Sequence, residues 1–455
     1  GVRMSQSRGI AGSLIAGATL VALACGSGRV ESKVRFRAEA EDQAPRLDLS
    51  LYKSAEERPG KQNRAHHVVV AVSGGGHRAG NFAFGALLAL EKLRCDRGAD
   101  ALKEIDYFST VSGGGFGVGA YIASLSDAME AEPMLADAGA FDRRRDAFKL
   151  AAAVEEYDGT EEDILRNLER GYNNRAAAAF VSVRAVFTDL DRGDYLESSL
   201  DRFLLGARRR GRSLRLNDLW VAQGSAARVR LPSWVANATV FQNGAIFPFS
   251  PDVLGAYGVA KYVHEKETQV LPNGNLEQLG ELPLAVAMKA SASFPALLPA
   301  TTLEVAGRDP ANPYLHLMDG GLADNLGMLS AVSLVRQLEA SGSVALVLID
   351  AFNGESEPFS RGSGSPKFYQ SFTRSTGISL DSWHSRFRVL LAELLPGRPA
   401  VYLGFSSVDD AKLRAAVEAV KTTINVTPKE QEDLMAAAGA AVTKNQKALC
   451  AAIFP

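Results

Sequence analysis

A strand-like run that stops at a set of glycines occurs twice between residues 66 and 125, and this restricts the chain to very few folds. His66-His67-Val68-Val69-Val70-Ala71-Val72 has no polar alternation, so it reads as a strand buried on both faces, the kind used by parallel sheets. Ser73-Gly74-Gly75-Gly76-His77-Arg78-Ala79-Gly80 follows as a tight loop, and Asn81 to Leu93 as an apolar helix. The unit then repeats, with Tyr107 to Val111 as strand, Ser112-Gly113-Gly114-Gly115 as turn and Phe116 to Leu125 as a small-residue helix. Two strand–loop–helix units in succession predict an α/β fold with a parallel sheet.

Further strands are expected at Val240 to Phe249, Gln269 to Leu271 and Val344 to Asp350, with a hairpin turn at Asn273-Gly274-Asn275. Helices are expected at Leu284 to Ser291 and at about 380–395, 409–421 and 428–448. The last opens on Thr427-Pro428-Lys429-Glu430, a capping box with proline at the first helical position. Residues 126–180 read as a charged helical insertion, and Gly354 to Ser365 as a mobile surface loop. The expected organisation is 1–25 as a signal segment, 26–63 as tether and lead-in, 64–355 as the main domain, and 356–455 as a loop and helical extension packed on that domain.

Composition excludes several classes. With 46% hydrophobic and 22% charged residues the chain is neither mainly disordered nor a multi-span membrane protein. Fifty Lys and Arg against 52 Asp and Glu give no basic excess for nucleic acid. The local cluster Arg208-Arg209-Arg210-Gly211-Arg212 with Arg215 can touch anionic head groups, but a solvated loop is the default for such a run. Trp220, Trp234 and Trp383 are expected in the core. Asp189, Asp191 and Asp194 only loosely resemble a calcium loop and lack the closing Glu, so no metal and no cofactor is expected.

The N-terminus carries basic residues, an uncharged run from Ile10 to Ala24, and then Cys25; Met4 is a candidate start. Fifteen residues are short for a spanning helix, which needs about 20, and the pattern is that of a secretory signal. Val21-Ala22-Leu23-Ala24-Cys25 resembles a bacterial lipobox, with Ala22 where Leu is preferred. It implies acylation of Cys25 and attachment to a bacterial cell envelope. Gly26, in place of an inner-membrane retention Asp, leans toward the outer membrane of a Gram-negative cell; a secreted or periplasmic protein is the alternative. Cys95 and Cys450 can then pair in an oxidising compartment or both stay free, and the sequence admits either.

Three stretches carry chemistry. Ser112 in Thr110-Val111-Ser112-Gly113-Gly114 stands where a sharp strand-to-helix turn would expose a hydroxyl. Gly74-Gly75-Gly76 leaves backbone N–H groups unobstructed at a helix N-terminus, suited to a phosphate or an oxyanion, with Arg78 adding positive charge. Asp319 in Asp319-Gly320-Gly321-Leu322-Ala323-Asp324-Asn325 is followed by two glycines that would let another loop approach its carboxylate. Upstream of it is Ala290-Ser291-Ala292-Ser293-Phe294-Pro295.

In this order the motifs resemble the patatin-like phospholipase family, and the Ser73 to Ala79 form resembles the branch shared with cytosolic phospholipases. Thr110, two before the serine, departs from that family's usual glycine. The resemblance runs from about His67 to Asp350. It implies a three-layer α/β/α sandwich with a mostly parallel sheet. It also implies Ser112 as nucleophile and Asp319 as general base without histidine, Gly74, Gly75 and Gly76 as the oxyanion loop, and Arg78 orienting it. Asp324 and Asn325 would be structural. Phospholipids or lysophospholipids would be the substrates, met at a membrane surface through the N-terminal anchor.

Three other readings compete. One is an α/β-hydrolase triad using His384, the one histidine after Asp319. Another is a dinucleotide-binding protein built on Gly115-x-Gly117-x-x-Ala120 or Gly74-x-Gly76-x-x-Ala79, which lacks the second strand ending in an acid. The third is an inactive lipid-binding protein of the same fold.

Overall fold

The valine run of β1 (His66–Val72) is buried at every position. In this computed structural model the described residues are 45–58, 61–95, 101–130, 192–262, 269–270, 275–295, 298–306, 310–353, 397, 399–422 and 426–455. The chain divides into two units, Gly1–Ala44 and Pro45–Pro455, and only the second falls within the described residues. After β1 come α1 (Gly76–Lys92), β2 (Ile105–Val111) and α2 (Gly114–Glu130). They are followed by β3 (Ser233–Val240), β4 (Ile246–Pro248), β5 (Val259–Tyr262), β6 (Gln269–Val270) and α3 (Leu284–Ser291). Then come β7 (Thr301–Val305), β8 (Tyr314–Asp319), α4 (Met328–Leu338) and β9 (Ser343–Asp350). The chain closes with β10 (Ala400–Gly404), α5 (Ala411–Glu418), α6 (Pro428–Lys444) and α7 (Gln446–Ile453).

The sheet order is β10-β9-β1-β2-β3-β8-β7-β5-β6, with β4 also pairing β3. The first five strands are mutually parallel. β8, β7, β5 and β6 add antiparallel, so β1, β2, β3, β6, β7, β9 and β10 share one direction. With helices on both sides, this is the expected α/β sandwich.

β1 sits between β2 and β9, with Val70 opposite both Phe108 and Val347, which is why its run lacks polar alternation. Burial alternates along β8. Leu315, Leu317 and Asp319 are buried there, while Tyr314 is exposed and His316 and Met318 are half-buried.

Several element boundaries differ from expectation. α1 begins at Gly76, five residues early, because Gly75 at φ 141° turns the chain within one residue. Val240 to Phe249 is a hairpin rather than one strand, since β3 ends at Val240 and Gly244 at φ 72° reverses the chain into β4. The start of β3 was hidden by Asn237, whose buried amide is fully used. Its Nδ2 donates to Ser109 Oγ and Thr110 O, and its Oδ1 accepts from Ser330 Oγ. Asn275 does not turn a hairpin but caps the short helix Leu276–Leu279, accepting from the Glu277 N–H; residues 273 and 274 lie outside the described residues. The expected helix over 428–448 breaks at Asn445 into α6 and α7, and its capping box forms as read. The 126–180 insertion from residue 131 on, the 354–365 loop and the 380–395 helix lie outside the described residues.

Tyr52 is buried against Trp220, with ring centroids 5.2 Å apart, and its hydroxyl donates to Asp252. Trp220 and Trp234 are core residues; Trp383 lies outside the described residues. Lys61 Nζ meets Asp106 Oδ2 at 2.6 Å with both side chains fully buried, which pins the lead-in to the start of β2.

At the other end of the chain α6 packs on α1 so closely that a Cβ on Gly85 would fall 2.7 Å from the Met435 backbone. Cys95, just after α1, is disulfide-bonded to Cys450 of α7, with Cα atoms 5.5 Å apart. The link spans 355 residues, so it removes much freedom from the unfolded chain. The double variant Cys95→Ser/Cys450→Ser is expected to lose about 2–4 kcal/mol in urea unfolding. An unchanged urea midpoint in that variant would show that the link contributes nothing to stability.

Candidate active site

Ser112 follows β2 directly and has φ 50°, the single positive φ at a non-glycine residue among the described residues. Holding an L-residue there costs about 1–3 kcal/mol and needs surrounding structure to enforce it. That structure is visible. The Ser112 N–H donates to Ser291 Oγ at 2.9 Å, and Ser291 Oγ donates to Asn237 O at 2.6 Å. A Cβ on Gly113 would lie 1.9 Å from Gly76 O, and one on Gly114 would lie 2.2 Å from Ser73 O. The turn and the glycine loop therefore meet backbone to backbone, where no side chain fits.

Thr110, the departure from the usual glycine, has a structural reason. Its Oγ1 accepts from the buried Trp234 Nε1 at 2.8 Å.

Asp319 ends β8, beside Ala238 of β3, and is 3% exposed. Its Oδ2 accepts from Ser112 Oγ at 2.7 Å and its Oδ1 from the Gly321 N–H at 2.8 Å. Gly320 is required by the approach to β3, since a Cβ there would sit 2.1 Å from Asn237 O. The Asp319 carbonyl accepts from Thr239 Oγ1 at 2.8 Å, and Thr239 Oγ1 accepts in turn from the Ala323 N–H. Burial pushes the Asp319 carboxyl up to about 6, against the two hydrogen bonds that favour its charge. A hydroxyl held on a carboxylate of that basicity can be deprotonated as it attacks.

The glycine loop lies beside Ser112, as a Cβ on Gly74 would be 3.3 Å from the Ser112 Cβ. Gly74 N–H donates to Asn325 O, so this amide is used structurally. Gly75 and Gly76 open α1 with no side-chain cap, and their amides fall among those that a helix leaves unpaired at its N-terminus. They are partly exposed, unlike the buried strand before them.

Arg78 is 4% exposed and donates from Nη1 to Val420 O at 2.9 Å. A Cβ on Gly75 would lie 3.3 Å from its Nη2, so the guanidinium also lines the glycine loop. Asp324 accepts from the Leu326 and Leu329 N–H groups, an anchoring role for the start of α4.

The structure thus brings Ser112, Asp319, Gly74, Gly75, Gly76 and Arg78 together. Sequence reading missed Asn237 and Thr239, and saw Ser291 only as part of a small-residue stretch. Their signal is weak, because each is a lone polar residue acting on backbone far away in the chain.

The glycines of the dinucleotide reading are consumed by packing, since a Cβ on Gly117 would lie 2.7 Å from Gly80 O. The arginine cluster is paired where described: Arg210 with Asp127, Arg212 with Asp218 and Arg215 with Glu281. Among the described residues no group of three His, Cys, Asp or Glu could hold a metal. Cys25, Asp189, Asp191 and His384 lie outside the described residues, as do the side chains of Arg208 and Arg209.

Two solved structures are similar in outline. Human GIVD cytosolic phospholipase A2 is 12% identical with a TM-score of 0.41, covering 88% of this chain and 61% of its own. VipD from Legionella pneumophila is 12% identical with a TM-score of 0.29, covering 86% of this chain and 68% of its own. The chain therefore spans under two thirds of the length of the human enzyme. No curated protein matches by sequence. The family model described as patatin-like phospholipase matches residues 70–332, over half of the chain, from within β1 to within α4. The chain belongs to the patatin-like phospholipase family.

Proposed function

We propose that the chain is a lipolytic acyl-ester hydrolase, of phospholipase A or lysophospholipase type, working through a Ser112–Asp319 dyad. The observation that carries this reading is the 2.7 Å hydrogen bond from Ser112 Oγ to a buried carboxylate, made from a strained turn in a chain of this family. A triad would place an imidazole where Asp319 stands; here the hydroxyl bonds the carboxylate directly.

In the acylation step Ser112 Oγ attacks the ester carbonyl carbon and its proton passes to Asp319 Oδ2. The carbonyl oxygen gains the negative charge and is received by the Gly75 and Gly76 N–H groups, aided by the dipole of α1. When the tetrahedral species collapses, the C–O bond to the leaving group breaks and Asp319 returns the proton to it, releasing the deacylated lipid. Water then attacks the acyl-serine, giving its proton to Asp319, and fatty acid leaves as Ser112 is restored. Asp319 stays aligned through the Gly321 N–H, and Ser112 through Ser291 and Asn237. Arg78 supports the loop by tying it to Val420.

Ser112→Ala and Asp319→Asn should each remove nearly all fatty-acid release from mixed phospholipid vesicles, and the double variant should be little worse. Wild-type-like turnover in either folded single variant would sink the dyad. Because Asp319 must be ionised to accept the proton, kcat/KM should fall about tenfold per pH unit below about 6. The linkage has the opposite sign for stability. A raised folded-state pKa makes ionised Asp319 a cost to the fold above pH 6, and the cost fades as pH falls through the raised value. Asp319→Asn should therefore match or exceed wild type at pH 8, by up to about 3 kcal/mol, in chemical denaturation.

We also propose that Cys25 is acylated and holds the protein on a bacterial cell envelope, at the outer membrane in a Gram-negative cell. The run from Ile10 to Ala24 that stops at Cys25 supports this reading. No helix among the described residues is long and apolar enough to cross a membrane. Cys25→Ala should abolish incorporation of labelled fatty acid in a bacterial host and with it lipid-mediated attachment. Labelling that persists in the variant rules out this site.

A further inference from the structure

The turn between β3 and β4, Phe241-Gln242-Asn243-Gly244, holds a large apolar side chain in water. Phe241 is 60% exposed, and Tyr314 at the start of β8 is 50% exposed. The exposure is built in. Val240 N–H donates to Ala245 O and Gly244 N–H to Val240 O, each at 2.8 Å, so the closed turn leaves no slack for Phe241 to fold inward. The Phe241 N–H donates to His316 O at 2.8 Å, and its ring meets the His316 ring edge-on at 6.3 Å. Tyr314 and His316 share one face of β8, so the two exposed aromatics belong to one surface.

The backbone at this tip is closed. Gln242 Nε2 donates to Tyr314 O at 3.1 Å, and Gln242 Oε1 accepts from the His316 N–H at 3.4 Å. Asn243 Oδ1 accepts from the Ala245 N–H at 3.0 Å. A docking protein strand would need this edge open. A lipid interface needs the reverse, apolar side chains over a backbone that is already paired.

Charge points the same way. No Lys, Arg, Asp or Glu occurs in 241–249 or 310–318; Arg308 and Asp309, in the same connection before Tyr314, lie outside the described residues. Glu304, opposite Tyr314 on β7, is paired with Lys261 at 2.9 Å. Among the described residues the tip thus presents no unpaired charge to an anionic polymer or to a charged peptide, and aromatic side chains favour the head-group level of a bilayer.

Position completes the argument. Asn237 pairs Val111, the residue before Ser112, and Phe241 lies four residues further along the chain, just past the end of β3. At about 3.3 Å per residue the tip stands about 13 Å beyond the nucleophile, at the same end of the sheet.

We propose that Phe241 and Tyr314 form a docking tip that seats the Ser112 end of the sheet on an uncharged, zwitterionic lipid surface. The tip's purpose rests on the hydrolase reading above, but its contact with lipid can be measured without turnover.

Phe241→Trp in a Ser112→Ala background places a reporter at the tip. Phosphatidylcholine vesicles with brominated acyl chains should quench it beyond the Ser112→Ala parent, equally at about 0.1 M and 0.5 M salt, because no screened charge is involved. No excess quenching, or quenching that needs anionic lipid and disappears with salt, overturns the proposal. In the second arm, Phe241→Asn/Tyr314→Asn should lower hydrolysis of phosphatidylcholine vesicles by about tenfold or more and leave a monomeric short-chain ester within about twofold. Equal loss on both substrates, or loss on neither, overturns it. If wild type hydrolyses neither substrate, the hydrolase reading fails, and the quenching arm still decides the tip.

Discussion

Two loops that touch through bare backbone govern this molecule. The turn after β2 and the loop after β1 meet where Gly113 faces Gly76 O and Gly114 faces Ser73 O, at separations that exclude even a methyl group. Because β1 and β2 are adjacent and parallel, their C-terminal ends emerge side by side, and only glycine lets them close together. This contact brings the hydroxyl of Ser112 beside the start of α1. The cost of the positive φ at Ser112 is carried by the same contact, with Ser291 and Asn237 holding the other side. The rest of the sheet supplies rigidity at this junction and delivers Asp319 from the antiparallel half.

Much of this was legible in the sequence, for a physical reason. Buried parallel strands admit little but β-branched residues, and a backbone contact admits only glycine, so β1, β9 and both loops are written in residue types that have few other uses. Asp319 was legible because the two glycines that follow it mark a carboxylate approached from close by. Asn237, Thr239 and Ser291 were not, because a serine or asparagine that braces distant backbone looks the same in sequence as one that faces water. The hairpin at 241–245 was misread as a continuous strand because Phe241 and Ile246 extend the apolar run on either side of the turn. The pairing of Cys95 with Cys450 depended on how α1 and α7 pack, which no local pattern encodes.

The C-terminal elements lie beyond the stretch that matches the family model, yet they reach the site. Arg78, three residues into α1, donates to Val420 O between α5 and α6, and Asn353 Nδ2 donates to the same carbonyl at 3.2 Å. α6 lies on α1 at Gly85, and α7 is bonded to Cys95 beyond it. The helix that presents Gly75 and Gly76 is thus held along its length from one side. A loop meant to bind a developing charge has to be rigid before the charge appears, and this bracing supplies that rigidity.

Thr110 carries a further consequence. Its hydroxyl takes the Trp234 indole proton inside the core, and Gly115 is small enough to leave that hydroxyl room, a Cβ there falling 3.1 Å away. Positions 110, 115 and 234 are therefore structurally coupled. Glycine at 110 with the tryptophan kept would strand a buried donor at a cost of about 1–3 kcal/mol. Related chains should carry threonine with tryptophan or lose both, and a chain with glycine at 110 should have filled the space around 234 with an apolar ring that has no proton to place.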